Sequence, residues 1–331
     1  MDIEGLHRRR EERRRAIRRR PLTFSLAAAF ALAIVAAIVV LADSGGGSAG
    51  SSSARHAPTA QRGAGTGPRS HDSHRAATPS GTPGGGVATG RPGTDAVPIL
   101  MYHVIAAAPA GAPFPGLYVP PAEFSAQMHA LKRAGWTAVT QDQLQAYWRG
   151  GISLPRGKPI VVSFDNGYQS QYTNALPVLR ALGWAGEENI QLTGLPPSQG
   201  GLSRKQVRGL IAAGWELDTQ GISHADLITL DPEQLREQTA GARKTIQRRY
   251  GVPVNWFCYP SGHYDAAVVA AVKSAGFVGS TTVVPGWARP SGDPYRLPRL
   301  RVLGGTSAPS LLAEIAAIRD DSPPPASYNG T

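Results

Sequence analysis

Three short polar clusters follow directly on apolar, strand-like runs, and their residue types could do hydrolytic or metal chemistry. IVVSF ends in Asp165-Asn166-Gly167-Tyr168, ELDT leads into Gln220-Gly221-Ile222-Ser223-His224, and WFCY ends in Pro260-Ser261-Gly262. A carboxylate, an imidazole and amide oxygens at strand ends, with Gly to let the backbone turn, are what a site at the mouth of an α/β barrel requires. Each piece alone has a plainer reading. Asp165 could cap the following helix or form a turn, and His224 could bond a loop. Cys258, between apolar residues, reads as a small core side chain rather than a nucleophile. His103 closes the first apolar run and is open to either reading. His263 falls in a loop and is expected to be exposed, and His129 lies in a helical pattern and reads as structural.

The elements that must position these clusters begin at Ala96, where composition turns to alternating strands and amphipathic helices. VPILMYHV reads as a buried parallel strand, and the next helix sets Phe124, Met128 and Leu131 at helical spacing and stops at Gly135. Further strands are predicted at 137–140, 159–164, 190–193, 216–219, 256–259, 277–282 and 300–303. Helices are predicted near 141–149, 170–182, 203–213, 231–249, 265–275 and 309–318. Seven or eight βα units in 96–318 predict one α/β barrel or one open α/β sheet, and 319–331, with Pro323, Pro324 and Pro325, reads as a disordered tail.

The chain has 331 residues and a formal charge of +11, but that charge is concentrated at the start. The first 20 residues hold nine Arg against four acidic residues, and the 236 residues from Ala96 carry only +4. This removes most support for nucleic-acid binding by the folded part. One cysteine excludes an internal disulfide and a Cys-rich zinc module. Leu22 to Ala42 is an uncharged apolar run that spans roughly 31 Å as a helix, enough to cross a bilayer. The Arg-rich tail 1–21 then lies in the cytoplasm and the rest outside, in the plasma membrane as a single-pass anchor or secreted after cleavage near Ala42. Residues 43–95, Gly/Ser/Pro-rich, read as a disordered tether.

Taken together, VPILMYH, PIVVSFDNGY, GWELDTQGISHADL, FCYPSGHYD and LPRLRV resemble, in order and spacing over about 97–303, the polysaccharide deacetylases of carbohydrate esterase family four. The resemblance implies a distorted, incomplete (β/α) barrel. It also implies hydrolysis of N-acetyl (or O-acetyl) groups on cell-wall or surface polysaccharide with one divalent metal, zinc first. By the same resemblance Asp165 is the catalytic base, Asn166, Gln220 and His224 stand at the three metal-ligand positions, and Tyr168, Tyr259, Pro260 and Arg299 border the substrate. The family's Asp-His-His trio has thus become Asn166, Gln220 and His224, and its late Leu-x-His motif is missing.

Two lost ligands cost more than the ~10- to 100-fold typical of second-shell changes. Strand alternation puts Glu216, Asp218 and Gln220 on one face, so Asp218, or Asp165 itself, is a candidate replacement ligand beside His224. Arg296, Arg299 or Arg301 could supply the cation that supports the base. Tyr168, Trp184, Tyr259 and Trp287 are candidate stacking aromatics. Three functions follow: an active deacetylase with an altered metal shell, an inactive deacetylase fold that binds glycan, or a glycosidase using carboxylates such as Asp165, Glu216 and Asp218.

Overall fold

The computed structural model describes residues 90–193, 195, 200–319 and 322–330. The Arg-rich tail, the apolar run 22–42 and the 43–95 tether up to residue 89 lie outside them. Among the described residues no helix is long and apolar enough to cross a membrane.

Nine strands form one sheet. Its path runs β7 (Gly279–Thr281), β6 (Trp256–Cys258), β5 (Glu216–Thr219), β4 (Glu187–Ile190), β3 (Lys158–Asn166), β1 (Val97–Tyr102), with every neighbouring pair parallel. Short β2 (Trp136–Ala138) lies parallel to the start of β3, β8 (Trp287–Ala288) runs antiparallel to the start of β1, and β9 (Leu300–Arg301) lies parallel to β1. Thr281 at the end of β7 bridges Leu297, while Leu300 pairs with Leu100 of β1. One five-residue segment therefore approaches both edges of the sheet, which curls into an incomplete barrel.

Among the described residues seven α-helices connect the strands and an eighth follows the last: α1 (Pro121–Arg133), α2 (Gln141–Gly150), α3 (Leu176–Ala181), α4 (Arg204–Ala212), α5 (Pro232–Arg236), α6 (Ala242–Tyr250), α7 (Ala266–Ser274) and α8 (Ala308–Ala317). Their ends carry local signals. Thr140, Ser203 and Asp231 close capping boxes on Gln143, Gln206 and Gln234, and Gly151 and Gly251 end α2 and α6 in the left-handed conformation. Outside the barrel, Phe124 of α1 meets Tyr102 edge-on at 5.2 Å and Phe164 at 5.9 Å, and Phe164 stacks on Trp215 at 4.9 Å.

The inside of the barrel is polar, which explains the main departure from expectation. Strand β4 occupies 187–190 rather than 190–193, and Glu187 and Glu188, outside the expected strand, are both fully buried. Register stacks Ser163, Glu187 and Glu216 in one layer and Asp165, Asn189 and Asp218 in the next. The supposed tail also differs, because Tyr264 and Tyr328 exchange backbone hydrogen bonds of 2.9 Å and the Tyr264 hydroxyl donates to the Pro325 carbonyl at 2.8 Å. At the other end, the last residue of the expected tether is tied to α2: the Tyr147 hydroxyl donates to Asp95 at 2.6 Å and the Trp148 indole to the Asp95 carbonyl at 2.9 Å.

Phe124 is fully buried between two aromatic rings. Phe124→Ala should cost about 3–5 kcal/mol, read as a lower urea midpoint.

Candidate functional site

Asp165 is the second-last residue of β3 and faces the barrel axis. Both of its oxygens are clamped: Arg299 donates from Nη1 to Oδ1 and from Nη2 to Oδ2, each at 2.8 Å. Asn189 Nδ2 adds a bond to Oδ1 at 3.0 Å, and the Cys258 thiol reaches Oδ2 at 3.5 Å. Arg299 is itself held by the Thr282 carbonyl, Ser163 Oγ and Cys258 Sγ. Burial alone would raise the Asp165 carboxyl, but the Arg299 guanidinium outweighs it and holds the group down to about 2. Of the three arginines that could support the base, Arg299 does so. Expected at the substrate, it instead lies fully buried behind Asp165, because alternation along the strand turns residue 299 into the barrel.

In front of this pair opens a cavity of about 580 Å³, lined among others by His103, Asp165, Asn166, Tyr168, Gln191, Gln220, His224, Tyr259 and Ser261. Three non-glycine residues have left-handed backbone among those described: Asn166 (φ 80°), His224 (φ 54°) and Ser261 (φ 55°). All three line the cavity. Strained backbone of this kind costs about 1–3 kcal/mol per residue and clusters at functional sites. At Asn166 its effect is direct. Successive strand residues normally face opposite ways, and the left-handed turn lets Asp165 and Asn166 both face the cavity. The His224 loop is pinned by Gln238, whose Oε1 accepts from Ile222 N (2.9 Å) and Ser223 N (3.1 Å).

The structure thus brings together Asp165, Asn166, Gln220, His224, Tyr168 and Tyr259, as the sequence predicts. Asn166 Nδ2 donates to Gln191 Oε1 at 2.8 Å, and Gln191 Nε2 to the Thr193 carbonyl at 2.8 Å, so the Asn166 side-chain oxygen is the atom left for a ligand. Gln220 Oε1 is buried without a partner. Burial lowers the pKa of His224, and it lowers that of His103 to about 4 despite the opposing pull of Asp165.

Other candidates lie elsewhere. Pro260 is fully buried beneath the Ser261-Gly262 turn and does not line the cavity. Trp184 packs in the core under Lys132, and Trp287 donates its indole N–H to the Ile315 carbonyl, so neither reaches the cavity. His129 caps back onto the Ser125 carbonyl within α1. His263 is paired with Asp226 at 3.1 Å rather than free in a loop. Asp218 shares the layer of Asp165 and Asn189 but does not line the cavity, its Oδ1 accepting from the backbone of Asn255 and Trp256. There Glu187, Glu216 and Asp218 bring carboxylate oxygens within 4.8 Å of one another, a set that could hold a metal ion, but none of the three lines the cavity. Gln191, Asn189, Gln238 and Phe114 are missing from the sequence reading. Glu187, Asn189 and Gln191 alternate along β4, a signal hidden by placing that strand three residues late.

The donor set at the cavity can be tested against zinc. Asn166 and Gln220 offer neutral amide oxygens and His224 one imidazole, while Asp165 is committed to Arg299. Zinc sites are built from thiolate, imidazole and carboxylate. These residues do not fit it.

The buried clamp gives a testable stability signature. Arg299→Met strands the Asp165 charge and should cost about 3–5 kcal/mol, and adding Asp165→Leu should recover part of that loss in thermal denaturation. Asp165 contributes stability above its unfolded pKa of about 4, lost as pH falls toward about 2. His103, with a folded pKa of about 4 against about 6.5 unfolded, makes stability fall as pH drops through that window. The decline in urea midpoint between those two values should flatten in His103→Gln.

Comparison with known proteins agrees with this geometry. The family model described as polysaccharide deacetylase matches residues 154–280. YxkH of Bacillus subtilis (strain 168), which bears a polysaccharide deacetylase name, is 27% identical over 224 residues, 67% of this chain and 77% of its own. Among solved structures, the Streptococcus pyogenes deacetylase PplD superposes with a TM-score of 0.61 at 23% identity, over 67% of this chain and 99% of its own. BC0361, a polysaccharide deacetylase from Bacillus cereus, does so with a TM-score of 0.59 at 28% identity, over 67% of this chain and 69% of its own. The sheet matches those of solved deacetylases, and residues 154–280 carry a polysaccharide deacetylase domain.

Proposed function

We propose that this chain binds N-acetylated polysaccharide in the Asp165–His224 cavity and that zinc-dependent hydrolysis has been lost from it. Residues 22–42 would hold the domain at the outer face of the plasma membrane, with the 43–95 tether giving it reach toward cell-wall or surface glycan. The observation that carries the reading is the change of donor chemistry on a retained frame. The left-handed turns at Asn166 and His224 and the Asp165 clamp remain, but the ligand positions present amides.

An acetamido group has one N–H donor and one carbonyl acceptor, and a primary amide can answer both. The unpartnered Gln220 Oε1 suits the N–H, and buried amide groups left unpaired are costly, which favours a ligand that pairs them. Tyr168 and Tyr259, 8% and 0% exposed, shape the wall rather than offer a free stacking face.

Residual metal-assisted hydrolysis by an altered shell is a second reading, favoured by the ionised Asp165 at the cavity wall with neutral His103 beside it. Family members are generally metal-dependent, and a bound divalent ion would polarise the acetyl carbonyl. Carboxylate-based glycosidase chemistry needs two carboxyl groups facing one substrate. Asp165 is the one acidic residue among those lining the cavity, and Glu216 and Asp218 do not line it.

Zinc calorimetry on the chelator-treated full chain in detergent micelles separates the readings. No saturable binding at micromolar zinc is expected from the native protein. Asn166→Asp combined with Gln220→His should create a one-to-one site of at least tenfold higher affinity. Micromolar one-to-one binding by the native chain, with acetate released from chitohexaose, would overturn the proposal.

A further inference from the structure

The charge on the cavity wall is unusual for a site descended from a cation holder. Asp165 is neutralised by Arg299 directly behind it. Asn166, Gln191 and Gln220 on the same wall are uncharged. Arg301 is left as the uncompensated charge of the wall. Its place follows from alternation along the closing segment. Leu300 is buried against β1 while Arg299 and Arg301 both face the barrel axis, with Arg301 one layer nearer the mouth. At that level its guanidinium has no hydrogen-bond or ion-pair partner among the described residues, and residue 301 is exposed.

On the same cavity stands the most exposed large apolar side chain of the described residues. Phe114, 69% exposed, lines the cavity rim with Pro113 and Leu117. Its loop is tied to the strand that carries Arg301, because Gly304 N donates to the Gly116 carbonyl at 2.9 Å. An exposed ring and an unpaired guanidinium on one cavity suit a sugar with one apolar face and one anionic substituent.

We infer that the cavity selects a carboxylate-bearing sugar of the polysaccharide, Arg301 pairing with the carboxylate and Phe114 covering the ring's apolar face. The inference rests on the proposed occupation of the cavity by N-acetylated glycan and adds the charge of that glycan. It predicts repulsion of free divalent cations and attraction of acidic chains, the reverse of a metal-loaded cleft.

The test uses the full chain in detergent micelles and three hexasaccharides. These are a hyaluronan fragment, in which glucuronate alternates with N-acetylglucosamine, its carboxyl-reduced counterpart, and neutral chitohexaose. The acidic fragment should bind roughly fivefold or more tightly than its reduced form at low salt, with the gap closing as salt is raised. Arg301→Gln should bring the two to equal affinity, Arg301→Lys should restore part of the preference, and Phe114→Ala should weaken both alike. If the acidic fragment binds no better than its reduced form, or Arg301→Gln keeps the preference, the inference falls. If chitohexaose binds while that preference is absent, glycan binding stands without charge selection. If none of the three binds, the proposed occupation falls with it.

Discussion

The buried pair of Asp165 and Arg299 is the interaction on which the rest of the barrel mouth depends. Two full charges removed from water are tolerated only when geometry and further hydrogen bonds repay the desolvation. Here the two parallel N–H···O bonds are joined by Asn189, Ser163, Cys258 and the Thr282 carbonyl, drawn from β3, β4, β6 and the stretch after β7. Each of those strands must therefore hold its register for the pair to exist. The pair also decides the electrostatics of the cavity in front, since it turns what would be a cation-attracting carboxylate into half of a neutral unit.

That neutralisation gives the amides at the old ligand positions their meaning. In a dry, polar interior an amide left without a partner is costly. Asn166 is satisfied by Gln191, whereas Gln220 keeps an orphaned oxygen. The left-handed backbone at Asn166 and His224 brings both residues to the cavity, where the groups offered beside Asp165 are amides and an imidazole. The acidic cluster of Glu187, Glu216 and Asp218, all raised in pKa mainly by burial, spans two layers of the sheet and lies outside the cavity lining.

Much of this was legible in residue order. Apolar runs located most strands, Gly and capping residues located the helix ends, and the strand-end position of Asp165, Gln220 and His224 located the cavity. What escaped has a physical reason. Strand β4 was placed late because its inward face carries Glu187 and Asn189, and hydrophobic patterning has no rule for a barrel with a polar interior. Arg299 could not be told from Arg296 or Arg301 because the choice depends on which of two alternating faces meets the axis, a fact set by closure of the sheet. The tail after 319 looked disordered from its prolines, yet Pro325 and Tyr328 bond to the Tyr264 region through backbone groups that composition does not reveal.

The segment Leu297 to Arg301 carries a further consequence. It bridges β7 at Leu297, pairs with β1 at Leu300, sends Arg299 behind Asp165 and Arg301 to the cavity wall. A slip of one residue would face Leu300 inward and turn both arginines outward, so barrel closure, the Asp165 clamp and the charge at the mouth would fail at one stroke. Structural integrity and ligand chemistry are here inherited as a single unit, and this segment can change its specificity only at residues that do not move its register.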